Sequence, residues 1–205
     1  MYQDISQSVI LAAGFSSRMG CAKALLPFDR HRTFLSQIVS QHIAAGVKNI
    51  TVVVNEQLLE MIKSKLTAGL LPKILLAVNS QPEMGRLSSV KTGLETMDTD
   101  AAVLLHDVDR PLVSALTLRL LQQKTNDSAY AYPVLGGASG HPILLGKRVV
   151  GHILEEKKNR LSLKESLAPF AKIGVETDDP GILANINTPE DYQKYLPNIQ
   201  NYIQR

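Results

Sequence analysis

Short apolar, β-branched runs alternate along this chain with stretches whose apolar positions recur every three to four residues. Ser8–Ala13 (SVILAA) reads as a buried strand. Thr33–Ala45 puts Phe34, Leu35, Ile38, Val39, His42 and Ile43 at helical spacing. Ile50–Val54 predicts a strand, Leu58–Leu66 a helix, Lys73–Val78 a strand and Leu87–Met97 a helix capped by its serines. Ala101–Leu105 and Ser114–Lys124 complete a fourth strand–helix pair. Such alternation predicts a mostly parallel sheet with helices on both faces, because parallel crossovers need helices that bury both faces. Beyond Asp127 the pattern loosens. Ser128–Val134, Ile143–Leu145, Lys172–Glu176 and Ile182–Asn185 read as strands, and Val149–Glu156, Leu163–Phe170 and Pro189–Tyr202 as helices. Ligands of open sheets sit outside the carboxyl ends of the strands. The loops after Ala13, Val78, Leu105 and Asn185 are therefore where chemistry is expected.

Composition narrows the class. The chain has 205 residues, 44% hydrophobic and 20% charged, as a globular protein of one domain (1–205) would have. A lone cysteine, Cys21, excludes an internal disulfide and a cysteine metal cage, and fits a reducing, cytoplasmic setting. No apolar run is long enough to span a membrane, and Met1-Tyr2-Gln3-Asp4 does not read as a signal peptide. A net charge of +3 does not argue for nucleic acid.

Five segments carry candidate chemistry. In Leu11-Ala12-Ala13-Gly14-Phe15-Ser16-Ser17-Arg18-Met19-Gly20-Cys21-Ala22-Lys23 a strand ends in small residues and a glycine loop with two cations. Gly14 permits close approach of backbone N–H groups to a phosphate, and Arg18 and Lys23 supply charge. An ordinary turn with two solvated bases would look the same. Gly85-Arg86-Leu87-Ser88-Ser89-Val90 is a loop entering a helix, its serines either caps or ligands. In His106-Asp107-Val108-Asp109-Arg110-Pro111 a carboxylate follows a strand, where it can hold Mg²⁺ or simply cap a turn. Asn185-Ile186-Asn187-Thr188-Pro189-Glu190-Asp191 is a helix start, with Thr at the N-cap, Pro next and acids in the first turn. Gly136-Gly137-Ala138-Ser139-Gly140-His141-Pro142 is a glycine-rich turn with one histidine.

The first string resembles the signature L-A-A/G-G-x-x-x-R-M-G-x-x-K of the MobA/MocA-like NTP transferase family. That family includes molybdenum cofactor cytidylyl- and guanylyltransferases, methylerythritol-phosphate cytidylyltransferase and sugar-phosphate nucleotidyltransferases. The other segments resemble the family's further motifs in the same order, from about Val9 to Tyr192. The resemblance implies a three-layer α/β/α Rossmann-like nucleotidyltransferase fold with a mostly parallel mixed sheet. It assigns Leu11, Ala12, Ala13, Gly14, Arg18, Lys23, Asn79, Gly85 and Ser89 to the nucleotide. Arg18, Lys23 and Asp107 become the catalytic set, and Asp107 with Asn185 and Asn187 the Mg²⁺ ligands. His141, Arg160 and Lys164 fall on the acceptor side. Asp109 and Arg110 take structural or supporting places.

The activity so implied is Mg²⁺-dependent transfer of a nucleotidyl group from an NTP to a phosphorylated acceptor, releasing pyrophosphate. Ala12-Ala13 looks like the CTP version, whereas the paired asparagines look like guanylyltransferase members. Gly140-His141-Pro142 points to a molybdopterin acceptor, with later transfer to a molybdoenzyme or chaperone. H-D-x-x-R-P resembles instead the methylerythritol-phosphate branch, and sugar-phosphate acceptors are a further alternative. A non-catalytic nucleotide- or cofactor-binding accessory protein is the reading from another class.

Overall fold

The computed structural model describes residues 7–14, 21–65, 71–156 and 162–197. One eight-stranded sheet runs through it. Strands β1 (Gln7–Leu11), β2 (Asn49–Val54), β3 (Leu75–Val78) and β4 (Val103–Asp107) are parallel, in the order β3-β2-β1-β4. They are followed by β5 (Ala129–Leu135), β6 (Ala138–Ser139), β7 (Ile143–Leu145) and β8 (Ala171–Glu176). Antiparallel β7 lies between β4 and β5, and β8 runs parallel to β5. The sheet is thus mixed, because the chain turns back from β5 through β6 and inserts β7 antiparallel between β4 and β5.

Alternate residues of the central strands feed opposite layers. Ile10, Val52, Val54 and Leu104 pack against α1 (Phe34–Ala44), α2 (Glu56–Lys65) and α4 (Ala115–Gln122), through Leu35, Ile38, Ile62 and Leu118. Val9, Leu11, Val53 and Leu105 pack on the other side against α3 (Arg86–Leu94), α5 (Lys147–Glu155) and α6 (Leu163–Leu167). Both faces are covered, giving three layers, α/β/α. Each such fully buried aliphatic side chain is worth about 1.5–3 kcal/mol relative to exposure. Among the described residues no helix is long and apolar enough to cross a membrane.

Two readings of the sequence are corrected. Helix α3 begins at Arg86 with Gly85 at its N-cap, not at the serines: Gly85 has φ 92°, which only glycine adopts readily. Ser88 instead donates back to the carbonyls of Gly85 (2.8 Å) and Gln81 (3.1 Å). Ile182–Asn185 is not a strand but follows a single 3₁₀ turn, Pro180–Ile182. Its alternating burial at Ile182, Ala184 and Ile186 mimics a strand pattern. The backbone there is bent by the Asp179 carboxylate, which accepts from the N–H groups of Gly181 (2.8 Å) and Ser114 (2.9 Å). The closing helix α7 spans Pro189–Tyr195, with Thr188 and Asp191 forming a reciprocal cap. Its sequence-based extension to Tyr202 runs into residues outside those described.

Candidate nucleotide site and the cavity beside it

At the carboxyl end of β1 the chain is pinned before it turns. The Ala12 amide donates to Val53 O (2.8 Å), and the Asn55 side chain donates to Ala13 O (3.0 Å). Ala12 and Ala13 are buried, and Gly14 emerges exposed. Leu11, Ala12, Ala13 and Gly14 form one wall of a cavity of about 300 Å³. Arg18 lies outside the described residues. Lys23, at the start of a 3₁₀ turn, returns to the same cavity. Its ammonium donates to Asn187 Oδ1 and stands 3.6 Å from Asp109 Oδ2.

The opposite wall comes from the start of α3. Gly85, Arg86 and Ser89 line the cavity together with Pro82. Asn79 does not reach it. It is buried behind, where its amide donates to Ser88 Oγ and Ser89 Oγ, each at 2.9 Å, and its oxygen accepts from the Gln81 amide. Asn79 therefore orients the serine that faces the cavity rather than lining it.

The floor is the end of β4. Asp107 is the strand's last residue, and its Oδ2 accepts from the Arg86 guanidinium at 2.7 Å. Asp109, two residues on, also lines the cavity, so it holds a more direct place than the supporting one expected from sequence. Burial, and then the neighbouring Asp107 charge, pushes the Asp109 carboxyl above the usual carboxylate range, against the pull of Lys23. Its Oδ1 is buried without a hydrogen-bond partner among the described residues. Arg110 turns away and donates to Ile182 O (3.2 Å), a structural role.

The turn that carries Asp107 and Asp109 is held from below by two fully buried histidines. His106 Nε2 lies 3.0 Å from Arg110 O, and its Nδ1 lies 2.9 Å from His42 Nε2 on α1. A carbonyl can only accept, so His106 carries its proton on Nε2 and His42 must donate to Nδ1. Burial lowers both histidines' pKa values and keeps them neutral. Further anchors are Val108 N to Leu11 O (3.0 Å) and Ile186 N to Asp109 O (2.9 Å).

Of the two asparagines, Asn187 lines the cavity and Asn185 stands behind it. The Asn187 amide donates to Asn185 Oδ1 at 2.6 Å, fixing which face of Asn187 is its acceptor. Carboxylates and an amide oxygen form a hard-oxygen donor set suited to Mg²⁺. Among the described residues no three His, Cys, Asp or Glu side chains cluster as a complete metal cage. A Mg²⁺ ion characteristically takes one or two carboxylates and completes its shell with water and substrate phosphates, so the residues fit that ion.

Beside this site lies a second cavity of about 450 Å³, lined among others by Tyr130, Tyr132, His141, Leu163, Lys164 and Lys172. His141 and Lys164 thus share one cavity, while Arg160 lies outside the described residues. His141 Nδ1 is 3.8 Å from Asp107 Oδ2. Burial, then Arg110 and Arg86, lower the His141 pKa to about 4, so the contact is polar rather than ionic near neutrality. Sequence reasoning missed Arg86, Tyr130, Tyr132 and Lys172. A pair of tyrosines at alternate positions of a strand reads as ordinary strand composition, and Arg86 falls at a variable position of its motif.

The amino-terminal four-fifths of the chain, residues 8–169, matches the MobA-like NTP transferase domain. A molybdenum cofactor cytidylyltransferase of Escherichia coli is 26% identical over 185 residues, covering 90% of this chain and 92% of that protein. A probable molybdenum cofactor guanylyltransferase of Bacillus mycoides is 25% identical over 202 residues, covering 94% and 96%. Among solved structures, a nucleotidyl transferase from Methanothermobacter superimposes with a TM-score of 0.77 at 22% identity, covering 97% of this chain and 99% of that one. The fold is therefore the nucleotidyltransferase fold, and the chain, an enzyme of the transferase class, belongs to the MobA-like NTP transferase family.

Proposed function

We propose that the protein transfers a cytidylyl group from CTP to the terminal phosphate of a molybdopterin acceptor carrying molybdenum, with Mg²⁺ as the metal. The observation that carries this reading is convergence. Leu11–Gly14, Lys23, Gly85, Ser89, Asp107 and Asn187, separated by up to most of the chain, line one cavity. A second, tyrosine-lined cavity opens beside it and shares Arg86 with it.

In this reading the triphosphate lies on the Gly14 turn and Lys23, and the base and ribose lie against Gly85 and Ser89. Asp107, Asp109 and Asn187 would hold Mg²⁺, which when bound lowers the charge on the phosphates. An acceptor phosphate oxygen forms the new bond to the α-phosphorus. The bond from that phosphorus to the β-bridging oxygen breaks, and pyrophosphate departs with the electron pair. The chain's residues need only position two anions and screen their repulsion. Tyr130 and Tyr132 offer flat apolar surface for a pterin, with Lys164 and Lys172 near its phosphate. Support for CTP comes from Ala12 and Ala13, which line the first cavity and match the cytidylyltransferase version of the motif. The product then passes, in the cytoplasm, to a molybdoenzyme or its chaperone.

The test is pyrophosphate release by the purified protein with Mg²⁺, each of the four NTPs, and either molybdenum-loaded molybdopterin or methylerythritol phosphate. Release is expected with CTP and the molybdopterin and not with methylerythritol phosphate. Preference for GTP would make the Asn185–Asn187 pair the better guide to the base. Absence of release with every NTP and both acceptors would leave the accessory-protein reading in its place.

A further inference from the structure

Among the described residues Arg86 alone lines both cavities. It is the first residue of α3, a position where the helix dipole disfavours a cation. Glycine at the N-cap provides no side chain to compensate. The guanidinium's compensation is Asp107, whose Oδ2 it meets at 2.7 Å. That oxygen belongs to the carboxylate assigned above to the metal. Arg86 is also partly exposed, with 41% of its side chain accessible against 19% for Asp107, so the arginine is the freer partner of the two.

We infer that Arg86 is a cation that stands in for the metal on Asp107 and, when the metal takes that carboxylate, turns into the second cavity to bind the acceptor's phosphate. The inference rests on the reading that Asp107 holds the metal and that the tyrosine-lined cavity takes the acceptor. Three features support it. A metal ion and the guanidinium draw on the same carboxylate charge and repel each other, so binding of the metal weakens the Arg86–Asp107 pair. Once displaced, Arg86 must find another anion, because it remains at the positive end of α3. The adjoining cavity already presents Lys164 and Lys172, so a phosphomonoester there completes a three-cation cradle, and a guanidinium can grip it with two parallel hydrogen bonds. Arg86 thereby couples the two sites: the acceptor phosphate meets its arginine only after the metal has arrived.

The experiment uses Arg86→Gln and Arg86→Lys in the full chain. Mn²⁺ alone is titrated by electron paramagnetic resonance, and inorganic phosphate is then titrated by calorimetry with and without Mn²⁺. Loss of a half-exposed competing ion pair should tighten Mn²⁺ binding by up to about fivefold in Arg86→Gln, with Arg86→Lys in between. Phosphate should bind the wild type better with Mn²⁺ present, and Arg86→Gln should lose that enhancement. Unchanged or weaker Mn²⁺ binding by Arg86→Gln overturns the stand-in role. An enhancement that persists in Arg86→Gln overturns the relocation. Asp107→Asn separates this from the underlying reading: if it leaves Mn²⁺ binding intact, the metal assignment fails before Arg86 is in question.

Discussion

Lys23 and Asp107 each engage a partner of opposite charge within the site, and their substitutions should fail differently. Asp107→Ala removes the carboxylate at the end of β4 without touching the apolar core, since neither Asp107 nor its partner Arg86 packs in it. Folding should survive while turnover falls on the order of a hundredfold or more, the magnitude of a lost charge clamp in a preorganised site. Steady-state turnover beside a circular dichroism melt checks both halves. Lys23→Ala should weaken triphosphate binding far more than monophosphate binding, because its ammonium reaches Asp109 and Asn187 from the 3₁₀ turn that Lys23 begins. Paired calorimetric titrations with CTP and CMP would reveal equal losses if Lys23 served the base instead. Both residues stood out as candidates in the sequence because the motifs that carry them resemble the family's. Arg86 did not: a cation at the start of a helix carries no signal until the fold brings Asp107, 21 residues away, to within 2.7 Å.

Elements were legible where local pattern and tertiary packing agree. The four parallel strands and their crossover helices announce themselves by runs that must be apolar on both sides, as the two-sided burial of Val9, Ile10 and Leu11 shows. Ile182–Asn185 misled because alternating burial arises equally in a strand and in an irregular segment pressed against a core, and only hydrogen-bond partners distinguish them. The serines of α3 misled because a positive-φ glycine can occupy the N-cap without a side-chain cap. The same helix holds a second glycine that its periodicity does not explain. Gly93 sits against the sheet, where an added Cβ would lie 2.3 Å from Val9 Cγ1 and 2.9 Å from Val53 Cγ2. Alanine favours helices by about 1 kcal/mol over glycine, yet overpacking costs about 1–3 kcal/mol or more, so overlap this severe should dominate. Gly93→Ala should therefore lower stability by about 1–2 kcal/mol. It should also loosen the cavity wall that α3 supplies through Ser89. Urea denaturation checks the first effect, and an unchanged or raised midpoint would mean that the β1–α3 contact yields without cost.

Across the whole molecule the site depends on contacts between distant parts of the chain, and the His42–His106 pair makes that dependence titratable. His42 comes from α1, His106 from β4, and together they hold the carbonyl of Arg110 beneath the Asp107 turn. Around His106 stand the charges of Asp107, Asp109 and Arg110, but burial outweighs them and keeps its pKa below the ordinary 6.5. His42, fully buried, is lowered well below 6.5, first by burial and then by His106. The sign follows from linkage. Well above pH 6.5 both histidines are neutral whether folded or unfolded, so they add no pH dependence. Below it the unfolded chain binds protons that the folded chain refuses. Stability then falls as pH drops, approaching about 1.4 kcal/mol per pH unit for each histidine until its folded pKa is reached. His141, lowered to about 4, contributes in the same direction. Carboxylates such as Asp179 and Asp191, held low by their hydrogen bonds against burial, titrate below the window from pH 7.5 to 5.5, while Asp109, raised by burial and Asp107, acts in the opposite direction and is common to wild type and variant. His42→Gln is the informative variant. A glutamine amide can still donate to His106 Nδ1, so the relay to Arg110 persists while one titrating group is gone. Chemical denaturation across that window should give a shallower decline for His42→Gln, by up to about 1.4 kcal/mol per pH unit, with turnover at pH 7.5 largely kept. A slope equal to that of the wild type would show that His42 takes up its proton in the folded state, and that the buried pair does not hold the Asp107 turn as a neutral relay.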